Sequence, residues 1–220
     1  MPELNLHYES LKKRHRDWRE NCHTNLSLRA HRALSWLQCA EHQVDLDAKV
    51  LFLWISFNAA YAAEMNESLR SKERSSFCTF LDKLVALDSQ KLLENHTWNE
   101  FPKSLQILLN KKFVHQPFWD FNNRRRIKTE WGSQFKEANA TVQAALVNGR
   151  TTLVLSILLS KINSLRNQLV HGGATWRSSV NSEQMSDYVA ITSKIVPIVL
   201  EVIMDNPRAL WGDPYYPVVQ

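Results

Sequence analysis

Residues 151–173 read TTLVLSILLSKINSLRNQLVHGG, and no other stretch says as much about what kind of protein this is. Leu153, Val154, Leu155, Ile157, Leu158, Leu159, Ile162, Leu165, Leu169 and Val170 would cover most of the circumference of a helix, which places that helix in a core. Gly172 and Gly173 then end it. Within the apolar surround, Ser156, Ser160, Asn163, Ser164, Asn167 and His171 recur at three- and four-residue steps. They form one polar stripe along a helix whose other faces are apolar.

The rest of the composition agrees with a helical reading. Five glycines in 220 residues fall well below the usual share of about 7%. Glycine-rich phosphate loops and hairpin-rich β architectures need more, so neither a dinucleotide fingerprint nor a Walker loop can be written here. With 44% hydrophobic and 22% charged residues, the chain has material for a real core. The expected fold class is all-α, an antiparallel helical bundle with extra helices in a single domain spanning 1–220. Residues 1–25 hold a helix at its periphery, and 206–220 form a C-terminal tail.

The net charge of +5 and a pI near 9.2 permit nucleic-acid binding without requiring it. Three cysteines at irregular spacing, together with an opening stretch that lacks an apolar signal segment, point to a reducing cytoplasm. No apolar run is long enough to span a bilayer, so no membrane is expected as a partner.

Outward from the central stretch, residues 4–20 read as an exposed amphipathic helix rich in Lys and Arg. In 26–42, Leu26, Ala30, Ala33, Leu34, Leu37 and Ala40 recur with helical period, and Asp45 or Asp47 can cap the next helix, which is apolar nearly all round. Helices follow at about 72–87, near 90–96 and at 101–112. Residues 131–147 show Phe135, Ala138, Val142, Ala145 and Leu146 on one face before the stop signal Asn148-Gly149. Thr151 or Thr152 is the expected cap of the central helix. The last helix is expected to start near Asn181, with Gln184 completing a capping box, and to run to about Met204 through Pro197.

Arg166, Asn167 and His171 meet at the carbonyl end of the central helix, and they are a coherent set for a phosphodiester. An imidazole moves a proton, a guanidinium neutralises charge on a pentacoordinate phosphate, and an amide orients either one. RNA supplies its own nucleophile in the 2′-hydroxyl, so the cleavage would need no metal and no other cofactor.

The segment Arg166-Asn167-Gln168-Leu169-Val170-His171 resembles the motif of HEPN domains, an Arg, a polar residue, and a His with four to six residues between it and the Arg. Its extension LRNQLVHGGATW, the earlier WISFNAAYA over 54–62 and the ending WGDPYYPVV resemble the Apea-like branch of that family. The resemblance implies an all-α bundle and a homodimer that brings two motifs into one cleft. For many relatives it also implies metal-independent endoribonuclease activity in toxin–antitoxin or phage-defence systems, with an antitoxin or defence-complex partner. By position, Arg166, Asn167 and His171 are then the catalytic set. The spacing alone is cheap, because Arg16, Asp17 and His23 also satisfy it; the core helix and its two glycines carry the distinction.

Other features have plainer readings beside the functional one. Asn163, Asn58 and Tyr61 could support the motif, or could be satisfied core groups that fix helix register. Arg124, Arg125, Arg126 and Lys128, near Phe118, Trp119, Phe121 and Trp131, have the charge and stacking surface that single-stranded RNA uses, and equally suit a solvated basic turn. The basic stretch 12–19 has the same two readings. Trp54 and Trp176 read as packing residues. Cys22, His23, Cys39 and His42 lack a chelating spacing, so no metal site is expected. A noncatalytic RNA- or nucleotide-binding module, or a dimeric interaction module, remains the alternative with the same fold.

Overall fold

The computed structural model describes residues 6–61, 73–100, 118, 121, 131–209 and 211–212. Among these it is all-α, with no strand. The helices are α1 (Tyr8–Trp18), α2 (Thr24–Glu41), α3 (Leu46–Tyr61), α4 (Glu73–Leu87), the short α5 (Leu92–Asn95), α6 (Trp131–Val147), α7 (Thr151–Val170) and α8 (Ser179–Asp205). A 3₁₀ turn, Arg19–Asn21, follows α1, and a π-helical turn, His96–Glu100, follows α5.

Pairings between side chains and carbonyls fix the direction of packing. Ser56 on α3 donates its hydroxyl to the Ala33 carbonyl of α2, and Arg29, four residues earlier on α2, donates to the carbonyl of Ala60, four residues later on α3. The two helices are therefore antiparallel. All six periodic apolar residues of α2 are buried, from Leu26 to Ala40. They meet Val50, Leu53, Phe57 and Ala60 of α3. Helix α1 runs antiparallel to α2 in turn, with His15 against the Ser27 carbonyl and Lys12 against His31. It is less exposed than its charge suggests, because Tyr8, Leu11 and His15 are buried and Arg14 pairs with Glu201 and Asp205 of α8.

Helix α8 runs unbroken through Pro197 and buries Ile195, Val196, Val199, Leu200 and Ile203 against the bundle. It begins at Ser179 rather than near Asn181, and its N-cap Ser178 makes no side-chain capping bond. Helix α6 matches its expected span and stops at Gly149, whose φ of +61° lies in the left-handed region. Capping of α7 differs from expectation. The N-cap is Arg150, without a side-chain bond, and the Thr151 hydroxyl instead accepts the indole N–H of Trp98 at 3.0 Å.

The chain after α8 turns back into the core. Trp211 is buried, and the fully buried guanidinium of Arg29 donates to the Trp211 carbonyl at 2.7 Å and the Gly212 carbonyl at 3.0 Å. A buried cation is tolerable where carbonyl oxygens take its protons.

Candidate functional site

Helix α7 packs against α3, α4 and α6, and Val154, Leu155, Leu158, Leu159, Ile162 and Leu165 are its buried face. The polar stripe is partly structural. Ser156 donates to the Leu153 carbonyl and Ser164 to the Ser160 carbonyl, so these serines are satisfied within their own helix. What remains toward the C-terminal end is Asn163, Arg166, Asn167 and His171, half-buried except for His171, which is exposed.

Arg166 and Asn167 are joined directly. The guanidinium Nη1 donates to Asn167 Oδ1 at 2.7 Å, leaving the amide NH₂ of Asn167 and the other guanidinium protons free to donate. Among the described residues no carboxylate pairs with Arg166. His171 follows one turn after Asn167, and its backbone N–H closes on the Asn167 carbonyl at 3.0 Å.

The helix end is sealed by backbone. Gly172 N–H reaches the Leu169 carbonyl at 3.2 Å and Gly173 N–H the Gln168 carbonyl at 2.7 Å. This is the paired bonding of a Schellman closure, with Gly172 at φ +68° as its left-handed residue. A Cβ on Gly173 would stand 3.4 Å from the Gln168 carbonyl oxygen. Because main-chain donors cover these carbonyls, the His171 imidazole does not act as the cap, and it has no hydrogen-bonding partner among the described residues.

The loop after the motif is latched to α3. Asp45 caps α3 by accepting Ala48 N–H at 3.0 Å, and its second oxygen takes Trp176 Nε1 at 2.9 Å and Arg177 Nε at 3.1 Å. Asp47 accepts the Arg177 backbone N–H at 2.8 Å. The Ala48 amide, then the Arg177 guanidinium, hold the Asp45 carboxyl below its ordinary range. Arg177 itself sits at φ +53° and stacks on the Trp176 ring at 4.5 Å. Trp176 is therefore no core residue: it is 71% exposed, and Val170, expected to pack, is 55% exposed. Trp54 does pack, tilted against Phe57.

Of the suggested supporting residues, Asn163 lies on the motif's own helix, whereas Asn58 and Tyr61 lie on α3. Asn58 is exposed on α3, and Tyr61 meets Phe77 and Phe80 edge-on at 5.2 and 5.3 Å. No hydrogen bond joins either to Arg166, Asn167 or His171. Arg124, Arg125, Arg126 and Lys128 lie outside the described residues, as does the helix expected over 101–112. Phe118 and Phe121 both contact Trp131 at the start of α6.

Two features escaped the sequence. Arg29 sits among apolar residues at a helical step that gives no sign of burial. Lys161, in the middle of α7, is 6% exposed and lies over the Phe135 ring at 5.9 Å, and its burial pushes the amine down to about 8. Among the described residues no group of three His, Cys, Asp or Glu side chains could hold a metal ion, and no helix is long and apolar enough to cross a membrane. Nothing among family models, curated proteins or solved structures matches the chain.

Proposed function

We propose that the chain is a metal-independent endoribonuclease of the HEPN type, active as a homodimer in a toxin–antitoxin or phage-defence setting. The observation that carries this reading is the Arg166–Asn167 contact. It holds a guanidinium that has no carboxylate partner among the described residues, near an imidazole that is exposed and not used as a cap. A structural arginine at this place would be paired, and a structural histidine would bond a carbonyl.

The chemistry follows from the donors. Arg166 binds a nonbridging phosphate oxygen and neutralises the charge that grows there as the RNA 2′-oxygen attacks phosphorus. His171 accepts the proton of that hydroxyl. The bond from phosphorus to the 5′-oxygen breaks, the leaving oxygen takes a proton, and the products are a 2′,3′-cyclic phosphate and a 5′-hydroxyl. The amide NH₂ of Asn167 holds a second phosphate oxygen. One imidazole per motif leaves the acid role to the second copy of His171 in a dimer, and the exposed Val170 and Trp176 beside the motif supply apolar surface for such a contact.

The test is incubation of the purified protein with end-labelled RNA in EDTA beside Arg166→Ala and His171→Ala. Cleavage with cyclic-phosphate ends, reduced in each variant by about 10² to 10⁴, is the expected result. Equal cleavage by all three proteins overturns it, and RNA binding without cleavage by the wild type replaces it with a noncatalytic module of the same fold.

A further inference from the structure

A second cluster of basic groups stands on α1 and α2, away from α7. Lys12, His15, Arg16 and Arg19 share one face of α1 and its extension, at steps of three and four residues. His31 reaches them from α2: its Nδ1 accepts the Lys12 ammonium at 3.1 Å, and its ring stacks on His15 at 6.0 Å. His15 is 2% exposed, with Nε2 on the Ser27 carbonyl at 3.1 Å. The carboxylates that α8 presents to α1, Glu201 and Asp205, are both engaged by Arg14. Among the described residues no ion pair reaches Lys12, Arg16 or Arg19.

We infer that Lys12, Arg16, Arg19 and His31, backed by His15, form an oxyanion site that takes a phosphate group and binds it together with one proton. An ammonium donating to an imidazole nitrogen requires that imidazole to be neutral. A phosphate oxygen arriving between them draws the Lys12 donor to itself, and His31 picks up a proton from solvent and becomes a second donor. Burial, followed by the neighbouring Lys12 and Arg19 charges, keeps His31 below its ordinary value. For His15 burial leads and Lys12, His31 and Arg19 add to it against the Ser27 bond; for Lys12 burial leads and Arg16 and Arg19 follow. The neighbouring charges that act on Lys12, His15 and His31 are all positive, so an anion placed among them relieves the three together. Because His31 is held down in the free protein and raised by the anion, binding tightens as pH falls. For one coupled proton the gain is about tenfold per pH unit at most.

The site is independent of the Arg166 reading, and the probes keep the two apart. Histidine ring NMR follows the protein with inorganic phosphate at pH 6, and with a short single-stranded oligodeoxyribonucleotide at pH 6 and pH 8. The oligonucleotide has phosphodiesters whose charge is constant over that range, and without a 2′-hydroxyl nucleophile it is not cleaved by that route. The expected result is saturable movement of the His31 and His15 signals, with affinity for the oligonucleotide several-fold higher at pH 6. Lys12→Ala and His31→Ala, both at surface positions, each weaken binding about tenfold with an unchanged thermal midpoint. A response to phosphate alone assigns the site to a free phosphate or nucleotide, and a response to the oligonucleotide assigns it to a nucleic-acid backbone. Unmoved ring signals with both probes, variants that bind like the wild type, or affinity that is flat with pH overturn the inference.

Discussion

Asp45 accepts the indole N–H of Trp176 at 2.9 Å, across more than half the length of the chain. The same carboxylate starts α3 by capping Ala48. One side chain thus fixes both the entry of a core helix and the loop that leaves the motif helix. Asp45→Ala is expected to lower the thermal midpoint and to speed amide exchange over residues 174–178, although Asp47 still accepts the Arg177 N–H. Unchanged exchange in that loop would show that the latch holds nothing.

The same contact has a pH signature. The Asp45 carboxyl is held below its ordinary value in the folded chain, so its contribution is present above the unfolded value of about 3.9 and is lost as pH falls through the folded one. Wild type and Asp45→Asn should therefore converge in stability only in strong acid, and be separated at neutral pH. Denaturant melts from pH 3 upward measure this.

Lys161 has the opposite sign. Burial pushes it down to about 8 from the ordinary lysine value of 10.5, so the cost of burying the charged amine is fully present below pH 8 and is relieved as pH rises towards 10.5. Lys161→Met should stabilise the protein by about 2 kcal/mol at pH 7. That advantage should shrink by pH 10, as read by urea midpoints of the two proteins side by side.

Removal of the Arg29 guanidinium leaves the Trp211 and Gly212 carbonyls without their donor. Arg29→Ala should cost about 3 kcal/mol or more and free the segment around Trp211 to exchange its amides. Arg29→Lys recovers little, because one ammonium cannot fork across both carbonyls.

Asn167→Asp tests the pairing at the motif without emptying it. The new carboxylate keeps the contact with Arg166 but neutralises the guanidinium. RNA cleavage should fall at least as far as in Asn167→Ala, with the fold as stable as the wild type. Full activity in Asn167→Asp would remove Arg166 from the charge-stabilising role.

The sequence made the helices legible wherever one face alone was apolar. In α2 the period named each buried apolar residue, and in α6 the Asn148-Gly149 stop marked the end. Legibility failed where a residue's role depends on another part of the chain. Whether Thr151 capped its own helix or received Trp98 was decided by α5 and its π-turn, which lie 50 residues earlier. Trp176 looked like core because tryptophan usually is, but its indole N–H found Asp45 at the surface. Burial of Arg29 follows from the return of Trp211, which no local pattern announces. At the motif, the spacing placed Arg166, Asn167 and His171 at one helix end and the two glycines as its stop, but it could not tell that Arg166 would donate to Asn167. Asn58 and Tyr61 share a helical face on paper, and an aromatic cluster claims one of them.

The main-chain closure at Gly172 and Gly173 separates architecture from reactivity. Since the helix is finished without help from the imidazole, residue 171 is under no obligation to the fold. If the proposed chemistry holds, a single codon change there would remove it while leaving the helix beneath intact. On that proposed reading, the same scaffold would pass between cutting RNA and merely holding it in one step, without rebuilding anything beneath the surface.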